Sequence, residues 1–224
     1  MGKHAYFIVA FLLVCITDIL GIAFHMPVLH QVTKPLLMPV LMIWLFRNMH
    51  TGGRAFLLGG LFFSWLGDIA LLLEDRHPLL FIAGLVGFLI THICYIIYFG
   101  KIRSAAPSLI RQKPWLVLLV AAYGIGLVTF LYPKLGDLRM PVMAYAVVIC
   151  TMLLFSLHVF YKVHRTAAML FTGGALCFVL SDSLLAINKF YQPFTGAGVA
   201  IMLTYCAAQF CIVRGGIENA EEKM

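Results

Sequence analysis

An all-α, polytopic membrane protein with eight transmembrane helices is the architecture this chain predicts, on three observations. First, 62% of its 224 residues are hydrophobic and only 11% are charged, against about 25% charged in an ordinary soluble domain. Second, the apolar residues lie in long runs, and a spanning helix takes about 20 of them. Third, the charges collect at the breaks between runs, where basic residues characteristically flank spans. Almost nothing is left for an extramembrane catalytic domain, so function falls within the helices or at their edges. The formal net charge of +7 is therefore a topology signal, and no nucleic-acid partner is expected. Cys15, Cys94, Cys150, Cys177, Cys206 and Cys211 all sit in apolar stretches without a CxxC pair. They read as small buried apolar residues, not as a disulfide or zinc framework.

Divided at its charged and Gly/Pro-rich breaks, the chain is one membrane-embedded domain, 1–224, with spans at about 4–24, 32–47, 54–74, 77–99, 114–132, 139–161, 166–188 and 194–214. The first follows a short basic start and lacks a small-residue cleavage site, so it reads as a retained helix and not a signal peptide. The second is the shortest. Pro35 and Pro39 should deform it and free backbone groups that neighbouring polar residues must satisfy. The third and seventh share a pattern: Gly59-Gly60 precedes Asp68 as Gly173-Gly174 precedes Asp182, and Leu71 and Leu185 follow three residues on. Met-Pro-Val occurs in the second and sixth, at Met38 to Val40 and Met140 to Val142. This recurrence fits either a parallel duplication of four-helix halves or chance matching in Gly- and Leu-rich sequence. An even number of spans puts both termini on one side. Eleven Lys and Arg, from Lys3 through Arg103 to Lys223, fall on that side, against Lys34, Arg76, Lys134, Arg139 and Lys189 on the other. The bias predicts cytoplasmic termini, as in an integral protein of a bacterial inner membrane.

An ionised carboxylate at the middle of an apolar helix costs at least about 2.5 kcal/mol on insertion scales, so intramembrane acids are functional candidates. Asp18, Asp68 and Asp182 qualify. By helical rise, Asp68 and Asp182 lie roughly 9 Å below the outer ends of their spans. Asp18 and Tyr145 fall at a similar level, with Lys34 just above. That layer of carboxylates, phenol and ammonium is suited to acid-base and head-group chemistry; the alternative is that the acids merely pair with bases. Ser64 shares a face with Asp68, and Phe178 with Asp182. Without a GxSxG elbow, Ser64 reads as a hydrogen-bonding serine before a nucleophile. His92, with Tyr95, Tyr98 and Gln209, forms a second polar cluster about 10 Å or more below the aspartates by the same arithmetic. It is either structural or the floor of a cavity. His4, His25, His30, His50, His77, His158 and His164 fall at span ends or in loops, and no HxxxH or HExxH pair is present. No metal and no cofactor are therefore expected.

Several short motifs in order resemble the YhhN-type lysoplasmalogenase family of multi-spanning membrane proteins. They are Lys34-Pro35-Leu36, Gly67-Asp68, and Phe88 with His92, Tyr95 and Tyr98-Phe99, then Pro141-Val142 with Tyr145, Ser181-Asp182 with Leu185-Ala186, and Tyr205 with Gln209. The resemblance covers nearly the whole chain. It implies a lysophospholipid substrate in the bilayer, and hydrolysis of the vinyl-ether bond of a lysoplasmalogen to a fatty aldehyde and a glycerophospho-ethanolamine or -choline.

That chemistry suits the acids. Protonating the outer alkene carbon gives an oxocarbenium ion, which water then attacks. Glycosidases meet the same kind of cation with two carboxyl groups in different protonation states. Asp68 and Asp182 are expected to share one proton and to divide the roles of acid and base. Lys34, with Arg76 or Lys189, receives the phosphate, and Tyr145 orients a carboxyl or the substrate hydroxyl. Ser64, His92, Tyr95 and Gln209 complete the substrate-binding set. The rival readings are a proton-coupled transporter or lipid-binding protein that uses the same acids, and a metal-dependent lipid hydrolase, for which paired histidines are lacking.

Overall fold

The computed structural model describes residues 4–50, 52–102 and 104–222. Lys3, Arg103 and Lys223, counted above for topology, lie outside them. Among the described residues there are nine α-helices and no strand. They are α1 (Ala5–Ala23), α2 (Pro27–Asn48), α3 (Arg54–Leu72), α4 (Pro78–Lys101), the short α5 (Leu109–Gln112), α6 (Trp115–Leu131), α7 (Arg139–His158), α8 (Arg165–Ala186) and α9 (Ala197–Glu221). All but α5 belong to segments long and apolar enough to cross a membrane, and the chain is an integral membrane protein. Trp44, Tyr95, Phe99, Phe171 and Phe178 are fully buried between helices, while Leu118, Ile125, Met140 and Val147 face outward. Apolar side chains on both faces suit lipid as the solvent.

The second span is longer than expected. Pro27 starts α2 five residues before the expected boundary, at a position where its missing N–H breaks no helical bond, and the helix continues through Pro35 and Pro39. Pro39 has no N–H to offer the Pro35 carbonyl one turn back. Trp65 of α3 supplies the bond instead, its Nε1 donating to that oxygen at 2.8 Å. The eighth span also outruns its expected end: α9 continues to Glu221, with Arg214 paired to Glu218 one turn on. A π-helical turn, Ile187–Tyr191, extends α8.

Glycines set the closest helix contacts. A Cβ on Gly87 of α4 would stand 2.9 Å from the Phe63 carbonyl oxygen and 3.1 Å from Gly67 Cα, so α3 and α4 meet backbone to backbone. Thr91 of α4 reinforces that seam by donating to the Gly60 carbonyl at 2.9 Å. On the other half, a Cβ on Gly174 of α8 would stand 2.9 Å from the Ala208 carbonyl oxygen of α9. The two tightest pairs, α3 with α4 and α8 with α9, correspond, as do α1 with α2 and α6 with α7. The halves join through α4 against α7 and α2 against α9. This is the pairing that two parallel four-helix halves would produce. It breaks at α6, which buries only Val120 and Leu131, whereas its counterpart α1 also packs on α9.

Candidate active site

Each central aspartate draws partners from both halves. Asp68 of α3 is 2% exposed. Its Oδ1 lies 3.8 Å from Lys34 Nζ of α2, and its Oδ2 accepts from Tyr205 of α9 at 2.6 Å. Asp182 of α8 accepts on Oδ2 from Tyr145 of α7, and His92 Nε2 of α4 lies 3.2 Å from the same oxygen. His92 Nε2 is also 2.9 Å from the Tyr145 hydroxyl. Among the described residues no hydrogen bond joins the two carboxyl groups.

The rise arithmetic misplaced His92. It belongs with Asp182 and not with a cluster a further 10 Å down. Helical side chains lean toward the N-terminus of their own helix. α4 and α8 run in opposite directions, so His92 and Asp182 lean toward each other and close the gap that Cα heights suggest. The ring sits edge-on to Phe178, centroids 4.6 Å apart, one turn before Asp182. His92 Nδ1 is buried without a hydrogen-bond partner.

The remaining predicted residues are likewise continuous with the aspartates. The Tyr95 hydroxyl donates to Gln209 Oε1 at 2.6 Å, and Gln209 Nε2 donates to Ser64 Oγ at 2.7 Å. Ser64 Oγ lies 2.8 Å from the Tyr205 hydroxyl, whose own proton goes to Asp68. Donation therefore runs one way, Tyr95 to Gln209 to Ser64 to Tyr205 to Asp68. Each bond polarises the next and fixes the carboxylate. Ser64, fully buried, has its hydroxyl engaged from both sides. Tyr205 is the residue that the chemical reading missed; its position four before Gln209 puts both on one face of α9. Tyr98, grouped with His92 from sequence, instead accepts from Asn219 at 3.3 Å.

Of the cavities near these groups, two share Leu71 and Leu185 and meet there. One, about 530 Å³, opens at the end of the bundle carrying the α1–α2, α3–α4 and α8–α9 turns, and is lined by His25, His30, Lys34, Glu74, Leu71 and Leu185 among others. The second, about 50 Å³, is lined by Asp182, Tyr145, Phe81, Phe88 and the same two leucines. Leu71 and Leu185, the pair that follows the aspartates in the repeat, thus stand between a polar mouth and a narrow apolar chamber. Lys189 is 3.2 Å from Glu74 and Arg76 does not line the mouth, so of the expected phosphate ligands only Lys34 faces it. Among the described residues no three His, Cys, Asp or Glu side chains converge as a metal site requires.

Residues 29–216 match the YhhN family. Lysoplasmalogenase TMEM86A of Bos taurus is 32% identical over 197 residues, covering 82% of this chain and 77% of the relative. Lysoplasmalogenase TMEM86B of Sus scrofa is 35% identical over 179 residues, covering 78% and 70%. A lysoplasmalogenase of Mycobacterium tuberculosis is 33% identical over 138 residues, 60% of this chain and 50% of the relative. No solved structure matches.

Proposed function

The chain belongs to the YhhN family, and from that premise we propose that it is an intramembrane hydrolase cleaving the vinyl-ether bond of lysoplasmalogens. The products are a fatty aldehyde and a glycerophospho-ethanolamine or -choline. The observation that carries this reading is a carboxyl group at the wall of an apolar chamber, backed by a phenol and an imidazole, beside a mouth that Lys34 faces. A single-chain phospholipid has that polarity, with a charged head and a hydrocarbon tail on either side of the reacting bond.

Asp182 is the acid. Both of its hydrogen bonds fall on Oδ2, so Oδ1 is the oxygen that carries a proton toward the chamber. That proton goes to the outer alkene carbon, the C=C π pair forms the new C–H bond, and the inner carbon becomes an oxocarbenium ion. Asp68, ion-paired with Lys34, is the fixed anion whose field stabilises the cation. Water adds to the inner carbon and gives its proton back to Asp182. Asp182 gives that proton to the glycerol oxygen as its bond to the hemiacetal carbon breaks, the O–H pair of the hemiacetal hydroxyl becomes the second C=O bond, and the released proton returns to Asp182 as the aldehyde leaves. Tyr145 and His92 hold the Asp182 carboxyl in place, and the tail lies among Phe81, Phe88, Leu85 and Phe190. The Lys and Arg asymmetry supports cytoplasmic termini, and the membrane proposed is a bacterial inner one.

The test is to incubate the purified protein with lysoplasmenyl-ethanolamine and with the matching saturated-ether lipid, and to measure free aldehyde. Release is expected from the vinyl ether alone, because only an alkene accepts the proton. Aldehyde from neither lipid, or from both, overturns the proposal.

A further inference from the structure

Asp18 takes no part in the chemistry above, yet it is completely buried in α1. Its Oδ1 lies 2.9 Å from His30 Nδ1 and accepts from Thr33 Oγ1 at 2.7 Å. Its Oδ2 is buried without a partner. A carboxylate removed from water costs stability unless it is paired, and this one is answered through a single oxygen, by His30 and Thr33. The sequence reading set His30 at a span end. It stands in the first turn of α2, at the wall of the polar mouth.

The consequence is an oriented ring. A carboxylate only accepts, so Nδ1 donates to Asp18, and Nε2 is the nitrogen left for the cavity. Lys34 follows four residues later on the same face of α2 and lines the same cavity. Its counter-ion Asp68 is 3.8 Å away, which leaves the ammonium with donors to give. The acid in the wall, Glu74, is matched by Lys189 at 3.2 Å. The unmatched donors of the mouth are therefore cationic or neutral, and two of them are set one helical turn apart.

We propose that His30, held by Asp18, joins Lys34 to bind the phosphate of a single-chain phospholipid. Asp18 is the positioning residue and His30 the ligand. This rests on the lysophospholipid reading above and names how its head group is held. Asp182 lines the chamber beyond Leu71 and Leu185 and not the mouth. The glycerol backbone likewise separates phosphate from ether oxygen by several bonds, so His30 meets the head while Asp182 meets the alkene.

The experiment measures binding, not turnover, and so separates this proposal from the hydrolase reading. The probes, titrated against purified protein in detergent, are 1-O-alkyl-lysophosphoethanolamine, phosphate-free 1-O-alkylglycerol and inorganic phosphate. Neither ether lipid has an alkene to cleave. His30→Gln is expected to weaken the phospholipid about tenfold, one charge-assisted contact, and to leave alkylglycerol unchanged. Asp18→Asn is expected to act in the same direction. The double variant D18N/H30K is expected to regain phosphate preference, because an ammonium needs no partner to orient it. If D18N fails to fold, H30Q and H30K alone decide. Equal weakening of both lipids, no weakening of either, or inorganic phosphate binding as tightly as the lysolipid would each overturn the proposal. Phosphate preference in a protein that releases no aldehyde would leave this site standing and remove the hydrolase.

Discussion

Asp182 and Asp68 differ in what surrounds them, and the proposed mechanism divides their chemistry along that difference. Asp182 is partly open to an apolar chamber, whereas Asp68 is buried behind Lys34 and Tyr205. In the proposed mechanism Asp182→Asn removes the proton donor and Asp68→Asn the fixed anion, so each should abolish aldehyde release while leaving the protein folded. Turnover retained in both variants would refute the two-carboxyl mechanism. Tyr145→Phe keeps the ring and removes the hydroxyl that donates to Asp182. The carboxyl then has His92 alone to orient it, and a loss of about 10- to 100-fold in kcat with KM little changed is expected, below the full worth of a general acid. Both aspartates could be read from sequence because a carboxylate among apolar residues is conspicuous. Lys34 and Tyr145 could be read beside them from helical rise, but the pairing of His92 with Asp182 and of Tyr205 with Asp68 could not, since only the bundle brings α4 and α9 beside them.

Between helices, the site depends on how closely α3 and α4 approach. The glycines of that seam carry Asp68 on one side and His92 on the other, so a change in spacing shifts both clusters. In Gly87→Ala the new methyl meets the Phe63 carbonyl and the Gly67 backbone, which have no rotamer to escape into. The overpacking should cost about 1–3 kcal/mol and lower both the melting temperature in detergent and the activity. Gly126 has nothing within 4 Å of its Cβ position, and Gly126→Ala should leave both unchanged; comparable melting of the two variants would contradict the seam argument. Helix lengths were less legible than helix number. Pro27, Pro35 and Pro39 look like breaks in the sequence, but one starts α2 and the others are carried within it, where Trp65 answers the freed Pro35 carbonyl. That compensation comes from a different helix, so no local reading of α2 contains it.

Eight spans with scarcely any chain outside them fit either of two machines, and the arrangement of the aspartates bears on which one this is. A proton-coupled carrier needs its acids to face each side of the membrane alternately. Here Asp68 is tied into a one-way chain of donors that crosses α3, α4 and α9, and Asp182 is clasped between α4 and α7. Both halves thus grip both acids, and moving one half against the other would break buried hydrogen bonds at each, which are costly to leave unmade. The fold accordingly suits a stationary site entered by lipid better than a pair of rocking halves. A stationary hydrolase requires no gradient, so turnover of lysoplasmenyl-ethanolamine in detergent should persist when no membrane separates two compartments. In vesicles, collapsing an imposed pH difference with an ionophore at fixed external pH should leave the rate of aldehyde formation unchanged. Loss of aldehyde formation on solubilisation with the fold intact, together with lipid flux that follows the pH gradient in vesicles, would instead assign the two aspartates to transport.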